Sequence, residues 1–309
     1  MQVLHIQTPL LESTPLSRVV GSEVWLKMEA LQPSGSFKLR GIGRACSYHA
    51  GRGVQRFISS SGGNAGIAVA YCGRKLGLPV TVVVPLSTPE RAIETIKSEQ
   101  AEVLVSGESW QEAHGHAQSL SGRDRVLIHP FDDPLLWEGH ATLIDEVKQS
   151  GLRPDAVLLS VGGGGLLCGV LEGLHRNDMA DVPVLAVETE GAASLGASLK
   201  AGHHLELERI TTVANSLGAK KVADKAWEWC GRHEILSLSV SDLEAVDSCL
   251  QFAADHRLLV EPACGAALAA VYGQQPFLND KKSILLVVCG GVGVSFEQLQ
   301  QWQQDLEKR

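Results

Sequence analysis

The 309-residue sequence has no excess of positive charge and no long apolar run, and each absence excludes a class of protein. Lysine and arginine number 27 against 35 acidic residues, a formal net charge of -8, so nothing in the composition indicates a nucleic-acid partner. No uninterrupted apolar segment reaches about 18 residues, so we expect no membrane partner or membrane span. The first residues show no charged-then-apolar leader, and a cytoplasmic location is therefore expected.

Motifs for metal ligation by cysteine and histidine are also missing. The seven cysteines include no C-x-x-C pair, and His129, His140, His203 and His204 lack the spacing of metal ligands, so no catalytic role is assigned to these histidines. We expect reduced thiols at Cys46, Cys72, Cys168, Cys230, Cys249, Cys264 and Cys289.

Short runs rich in Val, Ile and Leu alternate with helix-like stretches along nearly the whole chain. This alternation is typical of parallel sheets with helices on both faces, and it predicts an α/β fold. Helix starts are indicated by Pro89 and by two capping-box patterns, at 109–112 and 241–244. The predicted strands are 23–28, 56–60, 81–84, 102–105, 126–128, 156–160, 184–188 and 283–289.

Four turns rich in glycine or serine follow, or lie close to, predicted strands, where α/β proteins collect their ligands. They are the segments 33–38, 60–66, 162–165 and 289–293.

The tetraglycine at 162–165 follows a predicted strand and precedes an apolar helical stretch. Its N–H groups and the helix dipole could hold a phosphate. Gly163, Gly165 and Gly169 also fit a loose dinucleotide-binding pattern, with Glu188 placed to bind a ribose. Glycines that serve only close packing are a third interpretation, and the segment alone does not decide among the three.

Lys38 differs from an ordinary surface lysine by its setting. It follows a Ser-Gly-Ser turn and the aromatic ring of Phe37, which could place the amine beside a flat cofactor. Partial burial there would lower the pKa of the amine, and a neutral amine can form an imine with an aldehyde.

Together, the segments 33–41, 60–66, 162–165 and 289–291 resemble the serine/threonine dehydratases of the tryptophan-synthase-like, fold type II pyridoxal-phosphate enzymes. The segments 130–140 and 260–271 also resemble the catabolic L-serine dehydratase branch, so the resemblance covers essentially the whole chain. It implies two α/β domains with pyridoxal 5'-phosphate between them. The small domain would be 30–139, and 1–29 with 140–309 would form the large cofactor-binding domain. The resemblance also implies a homodimer.

The resemblance implies a role for each matching residue. Lys38 would bind the cofactor as a Schiff base beside Phe37, Asn64 would contact the cofactor 3-hydroxyl, and Cys289 would face the pyridine nitrogen. Ser61, Gly62 and Asn64 would bind the substrate carboxylate. The phosphate would be held by Gly162, Gly163, Gly164 and Gly165, and a potassium ion by Glu188, Ala192, Ser194, Leu217 and Ala219.

The implied reaction is the elimination of water from L-serine to give pyruvate and ammonia, and from L-threonine to give 2-oxobutyrate and ammonia. A thiol at Cys289 is a weak donor that leaves the ring largely neutral, which favours elimination over transamination. A serine racemase on the same scaffold is one alternative, but Gly62 stands where racemases carry the serine that reprotonates the α-carbon. A nicotinamide-dependent oxidoreductase that uses the 163–169 glycines is the other alternative.

Overall fold

A computed structural model describes residues 2–308, which form two compact units. Unit 1 consists of residues 2–6 and Gln32–His140, and unit 2 consists of Gln7–Leu31 and 141–308. None of the helices in the described part of the chain is both long and apolar enough to span a bilayer.

The first residues group with unit 1, whereas the sequence placed them with the large domain. The reason is a set of side-chain contacts, since Gln32 accepts a hydrogen bond from the Ile6 N–H at 3.0 Å and donates one to the Ile6 carbonyl at 2.9 Å. Ser47 also donates to the Gln2 carbonyl at 2.7 Å. The division into cofactor-binding and small domains stays a prediction.

Residues 2–308 form ten strands and twelve α-helices. The strands are β1 (Leu10–Glu12), β2 (Glu23–Lys27), β3 (Arg56–Ser59), β4 (Val80–Val84), β5 (Glu102–Val105), β6 (Arg125–Leu127), β7 (Ala156–Ser160), β8 (Val184–Thr189), β9 (Ile235–Val240) and β10 (Ser283–Val287). The helices are α1 (Thr14–Val20), α2 (Lys38–Ala50), α3 (Asn64–Leu76), α4 (Glu90–Ser98), α5 (Trp110–Ser119), α6 (Pro134–Gln149), α7 (Gly165–Arg176), α8 (Ser194–Ala201), α9 (Asp224–Cys230), α10 (Asp242–His256), α11 (Pro262–Tyr272) and α12 (Phe296–Leu306).

Each unit contains one sheet. In unit 1, four parallel strands lie in the order β5-β4-β3-β6. In unit 2 the order is β1-β2-β10-β7-β8-β9, and every pair is parallel except β1 with β2. The predicted α/β class is confirmed. All residues of β4, β7 and β8 are buried, as expected for parallel strands with both faces covered.

The helix-start predictions are confirmed with two differences. Ser241 and Glu244 form a complete capping box at the start of α10. At α5, Ser109 caps the helix, but the Glu112 carboxylate accepts from the N–H of Glu108 instead of that of Ser109. Helix α4 begins at Glu90, one residue after the predicted proline, because Pro89 has an extended ψ of 140°.

Candidate active site

The carboxyl ends of parallel strands meet at one edge of a sheet, and in unit 1 that edge carries three loops. The serine- and glycine-rich turn at 60–63 follows β3, the turn containing Thr88 follows β4, and His129 and Pro130 follow β6. Since β3 lies between β4 and β6, these loops are neighbours.

Lys38 is the first residue of α2 and extends to this edge. Its ammonium donates a hydrogen bond to the Pro130 carbonyl at 2.7 Å. The Lys38 nitrogen also lies 5.0 Å from the centroid of the Phe37 ring. The Phe37 ring therefore lies beside the amine, and the expected placement of that amine beside a flat cofactor stays a prediction.

The 60–63 turn is shaped by a glycine in the helix that follows it. A Cβ atom at Gly66 would lie 1.8 Å from the Ser61 carbonyl oxygen, so only glycine allows the turn to fold back onto the first turn of α3. Asn64 is the first residue of α3 and is 9% exposed. The N–H groups of a first helical turn have no partner within the helix, and they suit an anion such as a carboxylate.

The sequence analysis assigned no individual role to three buried side chains near Lys38. The hydroxyl groups of Ser34 and Ser36 are buried without a hydrogen-bond partner, and so are both ring nitrogens of His140. Burial is the main cause that lowers the pKa of His140 well below its usual value, so the ring is neutral. Buried polar atoms are nearly always paired in native proteins, so unpaired ones mark a place where a ligand can bind. The two serines of the Pro-Ser-Gly-Ser turn are the sequence feature from which these buried hydroxyl groups could have been predicted.

In unit 2, the glycine loop and Cys289 follow neighbouring strands, β7 and β10. Gly164 has a φ of 87°, and a Cβ atom there would lie 2.6 Å from the Ala226 Cβ. A Cβ at Gly162 would lie 2.9 Å from the Leu217 Cα. Close packing therefore requires glycine at both positions, and the N-terminus of α7 begins directly after them with donors that suit a phosphate.

Cys289 is 6% exposed and lies at the edge formed by the ends of β10 and β7. A hydrogen bond with Cys264 and burial raise the pKa of the Cys289 thiol well above its usual value, so it stays a neutral, weak donor. Glu261, which the sequence did not single out, packs beside the next turn: a Cβ at Gly291 would lie 2.0 Å from the Glu261 Cδ. The negative charge of Glu261 also disfavours a thiolate at Cys289.

Glu188 lies in β8 and is completely buried, so it is not a surface acid. Its carboxylate accepts hydrogen bonds from the N–H groups of Leu195 and Gly196, both at 2.8 Å. Burial nevertheless raises the pKa of Glu188 to about 7. Because its side chain is completely buried, Glu188 is poorly placed to bind a ribose, and the nicotinamide interpretation is left without an acidic residue for that role.

No cluster of three or more His, Cys, Asp or Glu side chains suited to a metal ion occurs within residues 2–308. The potassium site implied by the sequence depends mainly on backbone oxygens, so it stays a prediction. Among its residues, the Ser194 hydroxyl is buried without a hydrogen-bond partner.

Comparison with known proteins identifies the group to which these features belong. The family described as pyridoxal-phosphate dependent enzyme matches residues 1–290. The chain belongs to this family. A mouse (Mus musculus) protein named L-serine dehydratase/L-threonine deaminase is 47% identical over 308 residues, which cover 96% of this chain and 94% of that protein.

Two solved structures from the same comparisons are similar in fold. The fungal L-serine ammonia-lyase from Rhizomucor miehei superposes with a TM-score of 0.93 at 38% identity, covering 98% of this chain and 99% of that one. A maize serine racemase superposes with a TM-score of 0.86 at 26% identity, covering 98% of this chain and 93% of that one. The match favours the dehydratase over the racemase, and the family excludes the nicotinamide interpretation.

The residues present fit the cofactor of this family. In unit 1, Lys38 has an amine that could bind an aldehyde; in unit 2, the start of α7 has N–H donors that could bind a phosphate, and Cys289 has a neutral thiol that could face a ring nitrogen. The unpaired hydroxyl groups of Ser34 and Ser36 are further groups that a ligand could satisfy. The individual role of each of these residues stays a prediction.

Proposed function

We propose that this protein is a pyridoxal-phosphate-dependent lyase that converts L-serine to pyruvate and ammonia, and L-threonine to 2-oxobutyrate and ammonia. The observation that carries the proposal is the 47% identity, along almost the full length of both chains, to a protein named L-serine dehydratase/L-threonine deaminase. The positions of three segments support it: Lys38 begins α2, Asn64 begins α3, and the glycine loop directly precedes α7.

Four parts of the chain hold the cofactor in this proposal. Lys38 forms the covalent link, Phe37 packs beside the ring, and Asn64 binds the 3-hydroxyl. Gly162–Gly165 bind the phosphate and Cys289 meets the ring nitrogen. When bound, pyridoxal phosphate supplies an electron-accepting ring that stabilises negative charge at the substrate Cα.

The protein's own groups bind the substrate and move the proton. Ser61, Gly62 and Asn64 lie at the start of α3 and bind the substrate carboxylate through N–H and side-chain donors. Lys38, once its amine is released by the substrate amine, takes the proton from Cα as a general base. The neutral Cys289 thiol places no formal charge beside the ring nitrogen, which favours loss of the β-hydroxyl over longer-lived carbanion chemistry.

The structure favours a lyase over a racemase at one position. Inversion at Cα needs a second acid on the opposite face of the substrate from Lys38, and Gly62 has no side chain to provide it. A Cβ atom at Gly62 would lie 2.8 Å from the Thr88 methyl carbon, so Thr88 occupies the space that a serine side chain would need.

The proposal is tested with purified holoenzyme. We expect pyruvate release from L-serine and 2-oxobutyrate release from L-threonine, and both should be abolished in Lys38→Ala. Borohydride reduction of the wild-type holoenzyme should fix the cofactor on the peptide that contains Lys38, as read by mass spectrometry. Rapid accumulation of D-serine from L-serine, or a cofactor label on another lysine, would contradict the proposal.

We also propose a potassium ion held by the Glu188 carboxylate and by oxygens of Ala192, Ser194, Leu217 and Ala219. Two observations support it: Glu188 is a fully buried carboxylate that accepts hydrogen bonds from the N–H groups of Leu195 and Gly196, and the nearby Ser194 hydroxyl is buried without a hydrogen-bond partner. A bound cation would offset the cost of burying that charge. Activity in potassium should exceed activity in tetramethylammonium at equal ionic strength, and equal rates would refute the ion's role.

We further propose that the enzyme is a cytoplasmic homodimer. The chain mass is 33.0 kDa, so sedimentation should give a species of twice that mass. Imaging of a tagged protein tests the location, and a monomer in solution would refute the assembly.

A further inference from the structure

The turn after β6 is organised around the imidazole of His129. The His129 Nδ1 accepts hydrogen bonds from the N–H groups of Asp132 at 2.7 Å and of Phe131 at 3.3 Å. The ring of Phe131 packs edge-on against the imidazole, with centroids 4.8 Å apart. The Phe131 carbonyl in turn accepts from the indole N–H of Trp137 at 3.0 Å. Two side chains, those of His129 and Trp137, therefore hold the backbone of this turn.

These contacts determine the protonation of His129. A backbone N–H can only donate, so Nδ1 must present a lone pair and the ring proton must be on Nε2. Burial, together with smaller contributions from the charges of His114 and Lys38, lowers the pKa of His129 to about 4. The ring is accordingly neutral at neutral pH, as a double acceptor at Nδ1 requires.

Pro130 lies inside this turn, one residue after His129. Its carbonyl oxygen is the acceptor for the Lys38 ammonium at 2.7 Å. The direction of that carbonyl depends on the backbone of 129–132, which His129 closes. His129 thus acts on Lys38 through the backbone of this turn.

We propose that His129 is a positioning residue for Lys38: its neutral Nδ1 fixes the 129–132 turn so that the Pro130 carbonyl holds the lysine amine whenever the amine is not covalently linked. The inference rests on the proposed function, in which the released Lys38 amine takes the Cα proton. An amine that is free to change rotamer would spend less time in the reactive position.

The expected kinetic effect is specific. In the proposed function the substrate carboxylate binds to the loop at 61–64 and not to the 129–132 turn, so KM should change little in His129→Ala. The proton transfer depends on Lys38, so kcat should fall by about tenfold, within the range that misplacement of a catalytic group produces. His129→Asn should recover most of the loss, because an asparagine oxygen accepts from the N–H two residues on.

The experiment compares holoenzymes of wild type, His129→Ala and His129→Asn, with His203→Ala as the control. His203 is an exposed histidine in unit 2, and its loss should leave kcat and KM unchanged. Hydrogen exchange of a peptide that contains Phe131 and Asp132 gives a readout that does not depend on turnover. Exchange of these amides should be about tenfold or more faster in His129→Ala than in wild type, because they lose a protecting hydrogen bond. In His129→Asn it should be slower than in His129→Ala.

Three results would overturn the inference: an unchanged kcat in His129→Ala, a rise of KM alone, or an Asn variant no better than the Ala variant. Faster amide exchange without a fall in kcat would mean that the turn is structural only. Failure of the proposed function is distinguishable, because wild type itself would then release no pyruvate.

Discussion

At the scale of single residues, the space beside Gly62 is filled by Thr88. A Cβ atom at Gly62 would approach the Thr88 Cγ2 to 2.8 Å, the Thr88 Oγ1 to 3.3 Å and a Val84 methyl to 3.4 Å. The Thr88 methyl group is the closest of the three, so Thr88→Ser removes the main obstacle while keeping the hydroxyl.

We predict that Gly62→Ser/Thr88→Ser gains serine racemisation, because the new hydroxyl can reprotonate Cα from the face opposite Lys38. Gly62→Ser alone should lose lyase activity through the clash with Thr88. Chiral chromatography of leftover serine measures the D-isomer. Gly62→Ala/Thr88→Ser is the matched control, because it adds the same Cβ atom at position 62 but no hydroxyl at that position. Equal D-serine from the control and the Ser variant would show that the hydroxyl has no role.

His129 leads to a prediction about acid stability. Its pKa in the folded state is about 4, below the ordinary 6.5, so its contribution to stability is complete above pH 6.5 and is lost as pH falls towards 4. The loss is on the order of 2 kcal/mol after allowance for partial exposure. We expect His129→Asn to unfold at a lower pH than wild type in an acid titration followed by circular dichroism. A midpoint that does not move would mean that His129 is already charged in the folded state.

The sequence could indicate which residues carry chemistry, but not the state of their groups. The pattern around Cys289 predicted a weak thiol donor, yet its neutral form depends on Cys264, which is distant in sequence. The unpaired hydroxyl groups of Ser34 and Ser36 likewise follow from burial by tertiary packing. Hydrogen bonds of this kind are decided by three-dimensional neighbours, which a single sequence does not reveal.

At the scale of elements, two glycines in the helices of unit 1 have opposite surroundings. A Cβ atom at Gly66 in α3 would lie 1.8 Å from the Ser61 carbonyl, whereas one at Gly115 in α5 would meet nothing within 4 Å. The same substitution should therefore have opposite effects in the two helices.

We predict that Gly66→Ala displaces the 60–63 turn and raises KM for L-serine by at least about tenfold, since a misplaced binding group costs on the order of 1 to 2 kcal/mol. Gly115→Ala should leave the kinetics unchanged and stabilise the protein by roughly 0.5 to 1 kcal/mol through helix propensity. Steady-state kinetics and thermal melts measure the two effects. A Gly66→Ala variant with wild-type KM would show that the turn does not bind the substrate.

The strands were largely predictable because most are continuous apolar runs. All eight predicted strands occur, and their ends agree within two residues. The two that were missed, β1 and β9, are the edge strands of the unit 2 sheet. Strand β1 has only three residues, and β9 is half-exposed with Ser237 and Ser239 among its residues, so neither shows the buried pattern.

At the scale of the whole molecule, the grouping of the N-terminal segment with unit 1 could not be predicted from the sequence. It depends on hydrogen bonds between Ile6 and Gln32, and short segments without a strong apolar pattern give no signal for such pairing. The composition and the alternation of strands and helices were sufficient for the fold class, because burial of both sheet faces leaves a pattern along the entire chain.

Cofactor removal should be visible in the stability of the entire chain. A ligand at 100 times its Kd stabilises the native state by about 2.7 kcal/mol, which for a chain of this length corresponds to a Tm increase of about 5 °C. We therefore expect wild type saturated with pyridoxal phosphate to melt about 5 °C above the cofactor-free protein. In Lys38→Ala the increase should be much smaller, because the covalent link is lost, whereas Lys148→Ala, at an exposed lysine of α6, should keep the full increase. Equal increases in all three proteins would mean that the link to Lys38 contributes nothing to cofactor binding.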